Sequence, residues 1–143
     1  MKENILIFNF EQTKARKLVT QLMMLKFKVK IVKEEEWSYP VGYLCGNLEA
    51  PAEQPLGIKE DENLLDAPML VMAGMDGKRL NQVLGAIKKA GIGKIPYKAV
   101  VTEINQHWLP SALLEELKQE HGQMQTFQAD QKPGYLHEQP KNL

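Results

Sequence analysis

Cysteine is almost missing from this chain of 143 residues: Cys45 stands alone, so no internal disulfide can form and no four-thiolate or Cys/His zinc set can be assembled. Charge of one sign is also missing. Eighteen Lys and Arg stand against 18 Asp and Glu, which removes the simplest electrostatic case for binding nucleic acid or an anionic membrane. No run approaches the roughly 18 consecutive apolar residues of a membrane span. The opening Met1 to Ile5 has neither the length nor the cleavage pattern of a signal peptide. Phosphate-loop and dinucleotide fingerprints are absent as well. Together these absences predict a cytoplasmic protein with no metal, no cofactor and no membrane partner, and with nucleic acid as its least favoured ligand.

What remains is ordinary globular material, 43% hydrophobic and 25% charged, enough for one domain with a core that buries roughly two-thirds of the unfolded surface. Ile5-Leu6-Ile7-Phe8 is a continuous apolar run, the mark of a strand covered on both faces. After Glu11 the period lengthens: Ala15, Leu18, Val19, Leu22 and Leu25 form one stripe of an amphipathic helix. Lys28 to Lys33 then alternates, which predicts a half-exposed edge strand and completes a βαβ unit. Residues 34–66 are irregular, with Pro40, Pro51 and Pro55 among several glycines; a short element is expected near Tyr39 to Leu44.

A second unit resembles the first. Met69 to Ala73 is its apolar strand, Leu80, Val83, Leu84 and Ile87 mark a helix that Gly91 can end, and Tyr97 to Thr102 is the fourth strand. Pro110 suits the first turn of a last helix with Leu113, Leu114 and Leu117 inward, stopping at Gly122. The predicted fold is α/β: a small, open, mainly parallel sheet of about four strands in order 2-1-3-4, with helices packed on it. Residues 1–122 form the domain. Residues 123–143, rich in glutamine with two prolines, read as a C-terminal tail.

Leu84, Ala86-Ile87-Lys88-Lys89-Ala90-Gly91-Ile92, Pro96, Lys98 to Thr102, Asn105, Trp108 and Leu114 to Lys118 carry a resemblance to an uncharacterised bacterial domain-of-unknown-function family, over residues 69–122. It implies boundaries and no activity, cofactor or partner. Ile5 to Phe8 with Glu11, and Gly74-Met75-Asp76-Gly77 before a helix, are similar to segments of response-regulator receiver domains. Asn9 and Phe10 stand where receivers keep their acidic pair, and Met69 stands at the phosphoacceptor position. Magnesium needs hard oxygen ligands, so this likeness implies shared architecture only.

In an open parallel sheet, ligands bind beyond the carboxyl ends of the strands, where strand order reverses. Order 2-1-3-4 puts that crevice between Asn9, Glu11 and Gln12 on one side and Gly74, Asp76, Gly77, Lys78 and Arg79 on the other, flanked by Thr102, Glu103, Asn105 and His107. Backbone amides of a glycine turn, with Lys78 and Arg79, suit an anionic metabolite or nucleotide. The plainer reading makes Asp76 a helix cap and the glycines a turn. His107 has no evident carboxylate to orient it and no neighbouring nucleophile; Asn105 bonding its own loop and a solvated His107 is the plainer reading there. His121 is expected to meet a helix dipole, and Cys45 to be a small buried hydrophobe. With no recognisable catalytic constellation, the expected function is that of a non-enzymatic protein-interaction or self-association module, and a possible homo-oligomer. The competing expectation is a small enzyme or sensor for an anionic ligand.

Overall fold

The computed structural model describes residues 1–50 and 64–130, with side chains through residue 122. The elements run β1 (Asn4–Phe8), α1 (Gln12–Met24), β2 (Val29–Val32), a 3-10 turn at Glu34–Glu36, and α2 (Val41–Leu44). After the segment outside the described residues come β3 (Met69–Ala73), α3 (Gly77–Ala90), β4 (Lys98–Val100), a 3-10 turn at Asn105–His107, and α4 (Pro110–Asp130). The short element expected near Tyr39 to Leu44 is α2.

The strands form one sheet in order β2-β1-β3-β4, as the pattern of apolar runs predicts. β1 and β3 occupy the centre and are buried at every residue, which is why both read as unbroken apolar runs. Their alternate side chains feed two separate cores. Ile5, Ile7, Leu70 and Met72 meet α1 and α3 through Ala15, Leu18, Leu22, Val83, Ala86 and Ile87. Leu6, Phe8, Met69 and Val71 face the opposite layer, built from Trp37, Val41, Leu44, Leu113 and Leu114. Each fully buried large side chain contributes roughly 1.5–3 kcal/mol, so the two strands anchor both layers at once.

The sheet is mainly parallel, as expected, with one antiparallel pair at its centre. β1 pairs with β2 in parallel and β3 with β4 in parallel, but the central pair, β1 with β3, is antiparallel. Each βαβ unit is parallel within itself; the units meet through their central strands in opposite directions. The physical reason is a pseudo-twofold axis. Leu6 pairs with Val71 at the middle of the ladder, with Asn4 opposite Ala73 and Phe8 opposite Met69. The same shift of 65 residues that takes Leu6 to Val71 also carries α1 onto α3. It superposes their carboxylate caps, Glu11 and Asp76, and their left-handed residues, Asn9 with Gly74 and Lys26 with Gly91. Two copies related by a twofold axis meet through the same surface, and for neighbouring strands that relation is antiparallel.

The repeat continues past the strands. A 3-10 turn, then Trp37, then Pro40 lead into α2, and a 3-10 turn, then Trp108, then Pro110 lead into α4. The two copies touch where the Val41 amide donates to the Trp108 carbonyl at 2.9 Å.

A second difference concerns the last helix. Gly122 does not stop it: α4 runs from Pro110 to Asp130 through that glycine. A glycine inside a helix costs only about 1 kcal/mol relative to alanine, and the flanking sequence is rich in good helix formers. His121 therefore sits inside the helix rather than near its C-terminus. The predicted tail beyond 130 lies outside the described residues.

Candidate functional site

The antiparallel centre dissolves the predicted crevice. The loop after β1 begins beside Met69, whereas the loop after β3 begins beside Asn4. Four residues of strand, about 14 Å at roughly 3.4 Å per residue, separate the two carboxyl ends. Asn9, Glu11 and Gln12 thus lie at one end of the sheet, and Gly74 to Arg79 at the other. Because β4 is parallel to β3, Thr102, Glu103, Asn105 and His107 share the second end with Gly74 to Arg79.

At the first end, the side chains bond to their own surroundings. Asn9 takes a left-handed conformation, φ 59°, which asparagine tolerates, and its Nδ2 donates to the Leu65 carbonyl at 2.8 Å. Glu11 caps α1, accepting from the amides of Thr13 and Lys14 at 3.1 Å each. Those amide hydrogen bonds hold its carboxyl below the usual range.

The second end is tied down more tightly. Gly74 adopts φ +70°, and a Cβ there would come within 2.6 Å of the Lys2 backbone, so the position requires glycine for conformation and for space. Asp76 caps α3 by accepting from the Arg79 amide at 2.9 Å. Gly77 and Lys78 are exposed. Arg79 turns away from the turn that was to hold an anion. Its Nε and Nη2 grip the two Glu3 carboxylate oxygens at 2.9 and 2.7 Å, and Nη1 donates to Gln82 Oε1 at 2.7 Å and to the Leu25 carbonyl at 3.3 Å. The guanidinium also lies over the Phe27 ring, 3.8 Å from its centroid. A planar fork paired this way is the geometry in which arginine binds carboxylate most strongly. Glu3 is held below its usual pKa, chiefly by its hydrogen bond to Arg79.

The segment after β4 closes on itself. The Thr102 amide donates to Asn105 Oδ1 at 2.8 Å, the Asn105 amide donates to Thr102 Oγ1 at 3.0 Å, and Asn105 Nδ2 donates to the Val100 carbonyl at 3.0 Å. His107 is exposed, and Trp108 packs partly buried against the second core. Asn105 is therefore a loop clasp. Cys45 is buried at 2% exposure, its thiol donates to the Gly42 carbonyl at 3.4 Å, and burial pushes its pKa up, the condition of an inert thiol. Among the described residues, no group of three or more His, Cys, Asp or Glu side chains could hold a metal. No helix among them is long and apolar enough to cross a membrane.

Two features were not singled out from the sequence. One is the Arg79–Glu3–Phe27 knot, whose members lie far apart in the chain and carry no local signal. The other is a groove of about 940 Å³ beside β4, between α3 and the loop that follows it, bordered by Lys88, Lys94 and Lys98. The recurrence of lysine at these positions was its only visible trace. His121 also borders the groove, with its ring edge-on to Tyr97 at 5.7 Å.

No curated protein and no solved structure matches the chain. One family model does match a segment, and its limits follow the second repeat: β3, α3, β4 and the first part of α4. Residues 68–124 match the family described as Domain of unknown function (DUF3783).

Proposed function

We propose that this protein is a non-enzymatic binding module that meets a protein partner at the β2 edge of its sheet. The observation that carries the reading is apolar exposure at that edge. Ile31 on β2 is 53% exposed, and Met23 and Met24, at the end of the helix packed over β2, are 63% and 72% exposed. Methionine is an adaptable contact residue, and exposed apolar side chains on an edge strand and on the helix packed over it favour association. The edge also carries Lys28, Lys30 and Lys33, of which Lys30 pairs with Glu36 at 2.9 Å. Edge lysines oppose pairing with a second copy through the same strand, so the favoured partner is an acidic surface with an apolar centre.

The competing reading, a small enzyme or sensor for an anionic ligand between residues 9–12 and 74–79, has no common site, since those loops lie at opposite ends of β1 and β3. A photo-crosslinking residue placed at position 24 or 31 in the native host tests the proposal. Discrete adducts are expected from both positions and none from exposed Gly85 on α3. Adduct mass separates a second copy from a different protein. Adducts that are missing, or equally frequent at position 85, would overturn the reading.

A further inference from the structure

Lys98 presents a problem in electrostatics. It begins the outer strand β4 and is only partly exposed. Its Nζ donates to the Ile95 carbonyl at 2.5 Å. Among the described residues it makes no salt bridge. Burial draws its pKa down. An ammonium partly withdrawn from water without a counter-ion is disfavoured, and one protein hydrogen bond leaves two of its three donors to face the groove and solvent.

The groove that Lys98 enters supplies the rest of the argument. Lys88 and Lys94 border it and are exposed, while Leu84, Ile87 and Ile95 provide apolar wall. At about 940 Å³ it falls within the range of small-molecule sites, which combine an apolar lining with a few convergent polar groups. Lysines of one sign on an apolar wall are complementary to one kind of ligand, a molecule with an acidic head and a hydrocarbon body.

We infer that this groove binds a small soluble amphiphilic anion, a carboxylate or phosphate monoester. The head is held by Lys98 with help from Lys88 and Lys94, and the body lies on Leu84, Ile87 and Ile95. The ligand supplies the missing counter-charge to Lys98. The inference is independent of the partner surface proposed at β2, which lies at the other edge of the sheet.

Isothermal titration calorimetry of the full chain with octanoate, octyl phosphate and neutral 1-octanol tests it. Either anion is expected to bind at least tenfold more tightly than the alcohol. Lys98→Gln should weaken the anions at least tenfold and leave the alcohol unchanged. Should Lys98→Gln fail to fold, as judged by its circular dichroism and melting curve, the paired surface change Lys88→Gln with Lys94→Gln carries the same expectation; Lys78→Gln is the control of equal charge for Lys98→Gln, and Lys78→Gln with Lys17→Gln, both exposed, for the pair. Failure of the full chain to bind either anion overturns the inference, as does equal binding of octanol or an equal loss in the matched control. Lys98-dependent co-sedimentation with phosphatidylglycerol vesicles, without binding of the soluble anions, would also overturn it, because the site would then be a membrane contact.

Discussion

Arg79 shows what a single residue does in this fold. Read locally, it is one of two cations following a glycine turn, and anion binding is the natural expectation. In the structure its guanidinium is committed to Glu3, Gln82, the Leu25 carbonyl and the Phe27 ring, so it joins the N-terminal segment to α1 and α3. The Glu3 partner is 76 positions away in sequence, a separation at which no spacing rule operates. Asp76 was legible as a cap because capping is local: the side chain answers an amide three residues ahead; Glu11 caps α1 by the same rule, but its role was read only from the structure. Arg79→Met should lower stability at pH 7 by removing a partly buried fork. The pH dependence follows from Glu3, whose pKa is lowered in the folded state. Its contribution is full above the ordinary glutamate value of 4.5 and fades as pH falls through the lower folded value. Urea melts of the two proteins should therefore converge below about pH 4.5. A gap that stays constant into strong acid would mean that the Phe27 contact, rather than the ion pair, carries the effect.

Elements were the most legible scale. Apolar runs located β1 and β3, three- and four-residue spacing located α1 and α3, and Pro110 marked the start of α4. Gly91 ends α3 with φ 66°, as its position suggested. Gly122 shows why glycine alone does not decide a helix end: it terminates a helix when a left-handed residue is needed there, and is otherwise a tolerated weak point. A Cβ at Gly122 would meet nothing within 4 Å. Gly122→Ala should therefore stabilise the protein by about 0.5–1 kcal/mol, visible as a higher melting temperature. A destabilised variant would place a helix end at that residue.

At the scale of the molecule, the fold is a pseudo-dimer closed within one chain. Each unit alone would leave its central strand with an open, largely apolar edge, the kind that seeks a partner; here the other unit supplies it through five residue pairs. A fragment of residues 64–130, holding only the second unit, is accordingly expected to self-associate, with Val71 pairing with its own copy. Sedimentation equilibrium should show a dimer or larger species. A folded monomer would show that the β1–β3 ladder is dispensable.

The sequence by itself determined the strands and helices, the strand order, the two buried faces and the caps of α3, because each depends on periodicity, propensity or contacts within a few residues. It also carried the repeat, visible as a second unit resembling the first. Tertiary structure alone decided how the repeats are oriented. The 36 positions between Val32 and Met69 are long enough for β3 to run in either direction beside β1, and alternating burial satisfies both faces in both cases. That one choice of direction moved Asn9 and Glu11 to the opposite end of the sheet from Asp76 and Arg79. The groove bordered by Lys88, Lys94 and Lys98 is likewise a product of packing, this time inside the second unit, where α3 and the loop after it come to lie beside β4.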